Sequence, residues 1–192
     1  MILAVVGSGG KTTRIKELAT HYRSQGKSVL VTTTTHMFIE EDTLLTDEAE
    51  PILSRLQETG YAMAGVPEGN KIRSLSPETF REVCYHADIV LVEADGSKHM
   101  PLKYPNSTEP VIPDNVDKIL VIWGPHGLGK PACQVCHRLE LVLECLGIEE
   151  DTLMTRAHVE KLIHTGYLNL LRAKFPNAEI EVFPPLSTTP RI

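Results

Sequence analysis

Short, wholly apolar runs alternate along the chain with longer stretches whose apolar positions recur at helical spacing. That alternation predicts an α/β protein with a mostly parallel sheet and helices on both faces. The first run, Ile2-Leu3-Ala4-Val5-Val6, is apolar at every position, as a central strand covered on both sides must be. A glycine turn follows. Ile15, Leu18, Ala19 and Tyr22 then predict a helix over 12–25 that Gly26 stops. Further strands are predicted at 28–33, 61–65, 89–92, 119–123 and 180–183, with a turn at Pro67-Glu68-Gly69-Asn70. Helices are predicted at 51–57, 77–87, 138–146 and 158–174; Ser76 is the N-cap of the second of these and Pro77 its first residue. Residues 96–113 are rich in proline, lysine and polar side chains and read as a long, site-bearing loop.

Composition narrows the class. With 42% hydrophobic residues in 192, the chain can bury one sizeable core, so 1–192 reads as a single domain. The balance of 25 acidic against 19 basic residues, a net charge of -6, argues against a platform that holds nucleic acid by its phosphates. No apolar run approaches the roughly 18 residues that span a membrane, and the first run is too short for a signal peptide. Cys84, Cys133, Cys136 and Cys145 are too few for a disulfide scaffold, which leads us to expect a soluble cytoplasmic protein with reduced thiols.

The strongest chemical signal is Gly7-Ser8-Gly9-Gly10-Lys11-Thr12-Thr13, set between the first strand and the first helix. Glycines let backbone N–H groups turn inward on a phosphate, and the helix start adds unpaired N–H groups and a positive dipole end. In such a loop Lys11 reaches the β- and γ-phosphates and Thr12 ligates Mg²⁺. The first glycine of the usual Gly-x-x-x-x-Gly-Lys pattern is Val5 here, so the loop is a shortened variant. It resembles the loops of Mur-type amide ligases and of some metallochaperone-like NTPases. A dinucleotide reading fails because Thr12 occupies the third glycine position.

A phosphate loop needs a partner acid at a nearby strand end. Ile89-Val90-Leu91-Val92 leads to Glu93 and Asp95, which share parity and so can point to one side. Either acid is expected in the Mg²⁺ shell, the other orienting the attacking water. The Thr32-Thr33-Thr34-Thr35-His36 run places hydroxyls and an imidazole at another strand end, where Thr34 or Thr35 is a candidate for Mg²⁺ or the γ-phosphate and His36 for phosphate or a second substrate. Lys98, Lys103, His126, Lys130 and Arg138 are the candidate cations for transferring phosphate or an anionic substrate, although for any single one of them a solvated surface role is the preferred reading. Cys133-Gln-Val-Cys136-His137 matches a haem-attachment pattern but lacks an export context, so ordinary thiols are the preferred reading.

Taken in order, Val6–Thr13, the Val-Thr-Thr-Thr-Thr-His of 31–36, Leu75–Glu78, Val92–Lys98, Pro101–Lys103, Glu109–Pro113, Gly129–Pro131 and Val135–Arg138 resemble the selenium-dependent hydroxylase accessory proteins of the YqeC type, over about residues 2–175. The resemblance makes His137-Arg138, rather than the cysteines, the recurring feature of that block. It implies a maturation role for selenium-dependent molybdenum hydroxylases, with such an enzyme or its cofactor-maturation machinery as partner, and no nucleic acid or membrane. Members of this family run longer, so 176–192 is expected to be an atypical or truncated tail.

Together these features predict a three-layer, P-loop NTPase-like fold that binds ATP or GTP with Mg²⁺ and hydrolyses it. Lys11, Glu93 and Asp95 are the expected catalytic residues. The expected nucleotide contacts are Gly7, Ser8, Gly9, Gly10, Lys11, Thr12, Thr13, Thr34, His36, Lys98 and Arg138, with Thr12, Glu93 and Asp95 toward the metal. The absence of an Asn-Lys-x-Asp motif tips the choice toward ATP. A small-molecule kinase or Mur-like acyl-phosphate ligase is the first alternative, and a non-catalytic nucleotide-binding adaptor the second.

Overall fold

The apolar runs form the sheet expected of them, and a computed structural model describes residues 1–186. In chain order the elements are β1 Ile2–Gly7, α1 Lys11–Ser24, β2 Val29–Thr33, β3 His36–Phe38, β4 Thr43–Leu45, α2 Ala49–Thr59 and β5 Tyr61–Glu68. There follow β6 Lys71–Arg73, α3 Pro77–His86, β7 Ile89–Glu93, β8 Leu102–Lys103, β9 Lys118–Ile122, α4 Ala132–Val135 and β10 Cys136–His137. The last are α5 Leu139–Leu146, α6 Arg156–Ile163, α7 Asn169–Lys174 and β11 Glu179–Phe183.

The main sheet runs β11-β9-β1-β7-β2-β5-β6-β3, and β4 also pairs with β5. All pairs are parallel except those that β6 makes with β3 and β5, so the sheet is mixed and mostly parallel. β1 lies at its centre between β7 and β9, which explains why no polar residue interrupts Ile2–Val6. Its side chains sort by parity. Leu3 and Val5 pack with Ile15 and Ala19 of α1 on one face. Ile2, Ala4 and Val6 join Ile52, Val83, Val142, Val159 and Leu162 of the other helices on the opposite face. Parallel register brings Gly7, Thr33, Glu93 and Ile122 to one edge: Val5 and Thr33 both align with Glu93, and Gly7 aligns with Ile122. Loops that leave a parallel sheet at its carboxyl edge are the usual place for a ligand site.

Three expectations need correction. The strand at 61–65 continues through Pro67 and Glu68, and the turn tightens to Gly69-Asn70 because β6 pairs back onto β5. The helix at 158–174 begins at Arg156 and is interrupted by a π-helical turn, His164–Leu168. There a Cβ on Gly166 would stand 2.8 Å from Pro105 Cδ, so this turn packs tightly on the 96–113 segment. That segment also carries β8, which pairs with β10 and ties Leu102 to Cys136. The three-residue strands β3 and β4 had too little pattern to be read. The predicted strand at 180–183 adds to β9 as an edge, and the end of the 176–192 tail, 187–192, lies outside the described residues. Among the described residues no helix is long and apolar enough to cross a membrane.

Candidate functional site

β1 ends at Gly7, whose φ of +88° is one that L side chains rarely adopt, and a Cβ there would stand 2.1 Å from Ile122 O. The Ser8 N–H donates to that same carbonyl at 2.9 Å, and its hydroxyl to Pro101 O at 3.0 Å. Gly9 has φ +76° and lies so close to Gly124 that a Cβ would meet its backbone nitrogen at 2.6 Å. Glycine is therefore required twice in the loop by close backbone approach as well as by conformation.

Lys11 opens α1 and is 4% exposed. Its ammonium donates to Gly7 O at 3.0 Å and Ser97 Oγ at 3.1 Å, both neutral acceptors. Burial holds this ammonium below the usual lysine range, against the pull of Glu93 and Asp95. Next to it the Thr12 hydroxyl donates to Glu93 Oε2 at 2.9 Å. Burial pushes the Glu93 carboxyl above the usual range, opposed by the Lys11 charge and the Thr12 hydrogen bond.

Asp95 has a different setting, although it is only two positions on. β7 ends at Glu93, so strand parity no longer dictates where Asp95 points. It is fully buried beneath the loop. Its Oδ2 accepts the Gly7 N–H at 3.0 Å and the Tyr167 hydroxyl at 2.8 Å, while Oδ1 accepts from Lys103. Both oxygens are thus engaged by protein donors. Lys103 was a candidate for solvated or phosphate-facing charge; its side chain is instead fully buried, bridging Asp95 and Glu109, the latter at 2.9 Å. Arg138 completes the chain with two bonds to Glu109, from Nε at 3.0 Å and Nη2 at 2.7 Å. Burial raises the Glu109 carboxyl, but the hydrogen bonds from Arg138 and Lys103 outweigh it and hold the group at about 2. The phenol of Tyr167 is pushed well above its ordinary range by burial and by the Asp95 charge.

A cleft of about 610 Å³ opens at this edge. Gly9 to Thr13, Glu93, His36, Lys98, His126 and Arg138 line it; Gly7 and Ser8, whose N–H groups go to Asp95 and Ile122, do not, nor do Thr34, Asp95, Lys103 and Lys130. The Thr33 hydroxyl donates to Glu93 O at 2.7 Å and ties the ends of β2 and β7 together, while the Thr34 hydroxyl donates to Val111 O in the 96–113 loop. His36 pairs with Glu68 at 2.5 Å on the exposed rim. Ser97, His99, Glu109 and His137 also line the cleft and Tyr167 supports it from below, all outside the predicted set. Ser97, Glu109 and His137 had a prior signal, in the Val92–Lys98, Glu109–Pro113 and Val135–Arg138 blocks. Cys133 and Cys136 are both free; burial pushes the Cys136 thiol up to about 12, as an unreactive core thiol should be.

Residues 3–140 match the profile of the YqeC protein family, well over half of the chain. The chain belongs to the YqeC family. It is 30% identical over 171 residues to the uncharacterized protein YqeC of Escherichia coli (strain K12), a match covering 84% of this chain and 67% of that one. No solved structure matches it. The YqeC span takes in the loop, Glu93, Asp95, Lys103, Glu109 and Arg138, whereas Tyr167 lies beyond it.

Proposed function

We propose that this YqeC protein binds a Mg²⁺-nucleotide, ATP or GTP, at the 7–13 loop and hydrolyses it, as a maturation factor for selenium-dependent molybdenum hydroxylases. The observation that carries the reading is the Thr12–Glu93 hydrogen bond beside a buried Lys11. A desolvated ammonium whose near partners are a carbonyl and a hydroxyl is a poor arrangement by itself and a good one for an anion. Among the described residues the N–H groups of Gly9, Gly10, Lys11 and Thr12 meet no protein acceptor, and they sit at the start of α1. The donor set fits a triphosphate, and the hydroxyl–carboxylate pair fits a hard, oxygen-seeking cation.

In this reading the loop N–H groups and Lys11 hold the phosphates, while Thr12 and Glu93 turn their oxygens toward the metal. Magnesium supplies Lewis-acid charge stabilisation on the phosphates. Glu93 is the acid left to position water, because Asp95 is committed to Gly7, Lys103 and Tyr167. Asp95 instead fixes the loop through the Gly7 N–H and is a positioning residue. The maturation role rests on the sequence blocks shared with the accessory-protein family.

Phosphate release from ATP and GTP tests this, with and without a selenium-dependent molybdenum hydroxylase. Slow release that rises with the hydroxylase and disappears in Lys11→Ala is expected. Equal release by wild type and Lys11→Ala overturns the proposal, and tight nucleotide binding without turnover in either condition reduces it to an adaptor.

A further inference from the structure

Basic side chains between residues 98 and 138 also line the cleft; the sequence alone points to Lys98 and Arg138 as nucleotide contacts, but the proposal carried by Lys11, Thr12 and Glu93 leaves the group without a role. Among the described residues, the non-glycine positions with positive φ are Lys98, His99 and Arg138, at +46°, +62° and +59°. All three are basic and all three line this cleft. Backbone held in a sparsely populated region persists where the surrounding structure over-determines it, and such positions gather at ligand sites. Positions 98, 99 and 138 thus combine an uncommon backbone conformation with a basic side chain at one opening.

His126 and His137 stand beside them. The His126 ring lies over Gly124 so closely that a Cβ on Gly124 would meet His126 Cε1 at 2.8 Å. His99 stacks on Phe38, with ring centroids 5.6 Å apart. Arg138 is held by Glu109, whereas Lys98, His126 and His137 make no ion pair or side-chain hydrogen bond among the described residues. Burial holds the His137 imidazole below its usual range, and the charges of Lys103, Arg138 and Lys98 lower it further. By formal charge Lys98, Lys103 and Arg138 stand against Asp95 and Glu109, and the two acids are paired with Lys103 and Arg138, which leaves the Lys98 charge unbalanced.

Resting on the nucleotide reading, we infer that Lys98, His99, His126 and His137, with Arg138 behind them, form a second anion subsite that holds a small phosphate monoester beside the nucleotide. A phosphate monoester matches the wall better than a carboxylate does. It brings close to two negative charges at neutral pH, and lysine and imidazole meet it as point donors. The one guanidinium present already has its fork on Glu109.

Calorimetric titration separates the two layers of this reading. First, wild-type protein is titrated with the non-hydrolysable β,γ-imido analogues of ATP and GTP in Mg²⁺. Then, with the tighter analogue saturating, phenyl phosphate and benzoate are titrated as probes. Phenyl phosphate is expected to bind at one equivalent, at least about tenfold tighter than benzoate, and to weaken about tenfold in Lys98→Ala and in His126→Ala. Nucleotide binding without phenyl phosphate binding overturns the subsite and leaves the nucleotide reading standing. Benzoate binding as tight as phenyl phosphate overturns the substrate class. Variants that lose nucleotide affinity instead of phenyl phosphate affinity assign these residues to the triphosphate, which also overturns the subsite. Absence of nucleotide binding removes the reading on which the subsite rests, and the subsite with it.

Discussion

The loop at 7–13 and the segment 96–138 face each other across one cleft and take their shapes from different sources. Consecutive residues set the loop's conformation, with glycines where backbone approaches within contact distance and a helix that starts at Lys11, and Asp95, Pro101 and Ile122 brace it through Gly7 and Ser8. The facing wall rests on groups far apart in sequence, of which only Glu109 and Arg138 reach the cleft itself. Asp95, Lys103, Glu109, Arg138 and Tyr167 come from the end of β7, β8, a loop, the start of α5 and the π-helical turn. A local site owes its form to backbone conformation, whereas a non-local one owes it to a buried ionic network that no single segment contains. The first should tolerate changes elsewhere in the chain that spare its braces at Asp95, Pro101 and Ile122; the second should fail when one member is removed.

The sharpest way to break this contrast is Lys103→Met. It leaves the fully buried Asp95 without its cation, and removing one partner of a buried pair costs about 3–5 kcal/mol. The exposed Lys98→Ala, on the same wall, should change stability by no more than about 0.5 kcal/mol. Urea unfolding measures both; similar values for the two would show that the network does not hold the wall. A smaller effect is expected from Tyr167→Phe, which removes one hydrogen bond to a buried carboxylate and should cost roughly 1.5–3 kcal/mol.

pH separates the two walls as well. Glu109 is depressed to about 2, so its contribution is full above its unfolded range near 4.5 and is lost as pH falls through about 2. Glu93 is shifted the other way. Its raised carboxyl contributes stability below the unfolded value of 4.5, which is lost as pH rises through the folded value. Ionised Glu93 is therefore a cost to the free protein at neutral pH, and Glu93→Gln should stabilise it slightly while weakening Mg²⁺-dependent nucleotide binding. A thermal melt in which Glu93→Gln is less stable than wild type would contradict this.

The same contrast decides what could be read in advance. β1, the glycine loop and the Ile89–Glu93 run were legible because each is a local pattern with its reason inside it. Asp95 was legible as a carboxylate near the site but not in its part. Parity reasoning stops where β7 stops, and its hydroxyl partner Tyr167 lies 72 residues away in a π-helical turn. Lys103 looked like surface charge because nothing in Pro101-Leu102-Lys103 reveals that β8 will be buried against β10. The threonine run suggested phosphate contacts; Thr33 stitches the ends of β2 and β7 together and Thr34 anchors the 96–113 loop, uses that depend on which segments become neighbours in the fold.

The central claim is that the local wall holds a Mg²⁺-nucleotide through Lys11, Thr12 and Glu93, and equilibrium binding of a fluorescent ATP or GTP analogue with Mg²⁺ or with EDTA tests it most directly. The account predicts saturable binding in Mg²⁺ at one equivalent. That binding should be weakened by EDTA and lowered by about tenfold to a hundredfold in Lys11→Ala, as loss of one or two charge-assisted phosphate contacts requires. Binding that is the same in wild type and Lys11→Ala, or the same in Mg²⁺ and EDTA, would contradict it.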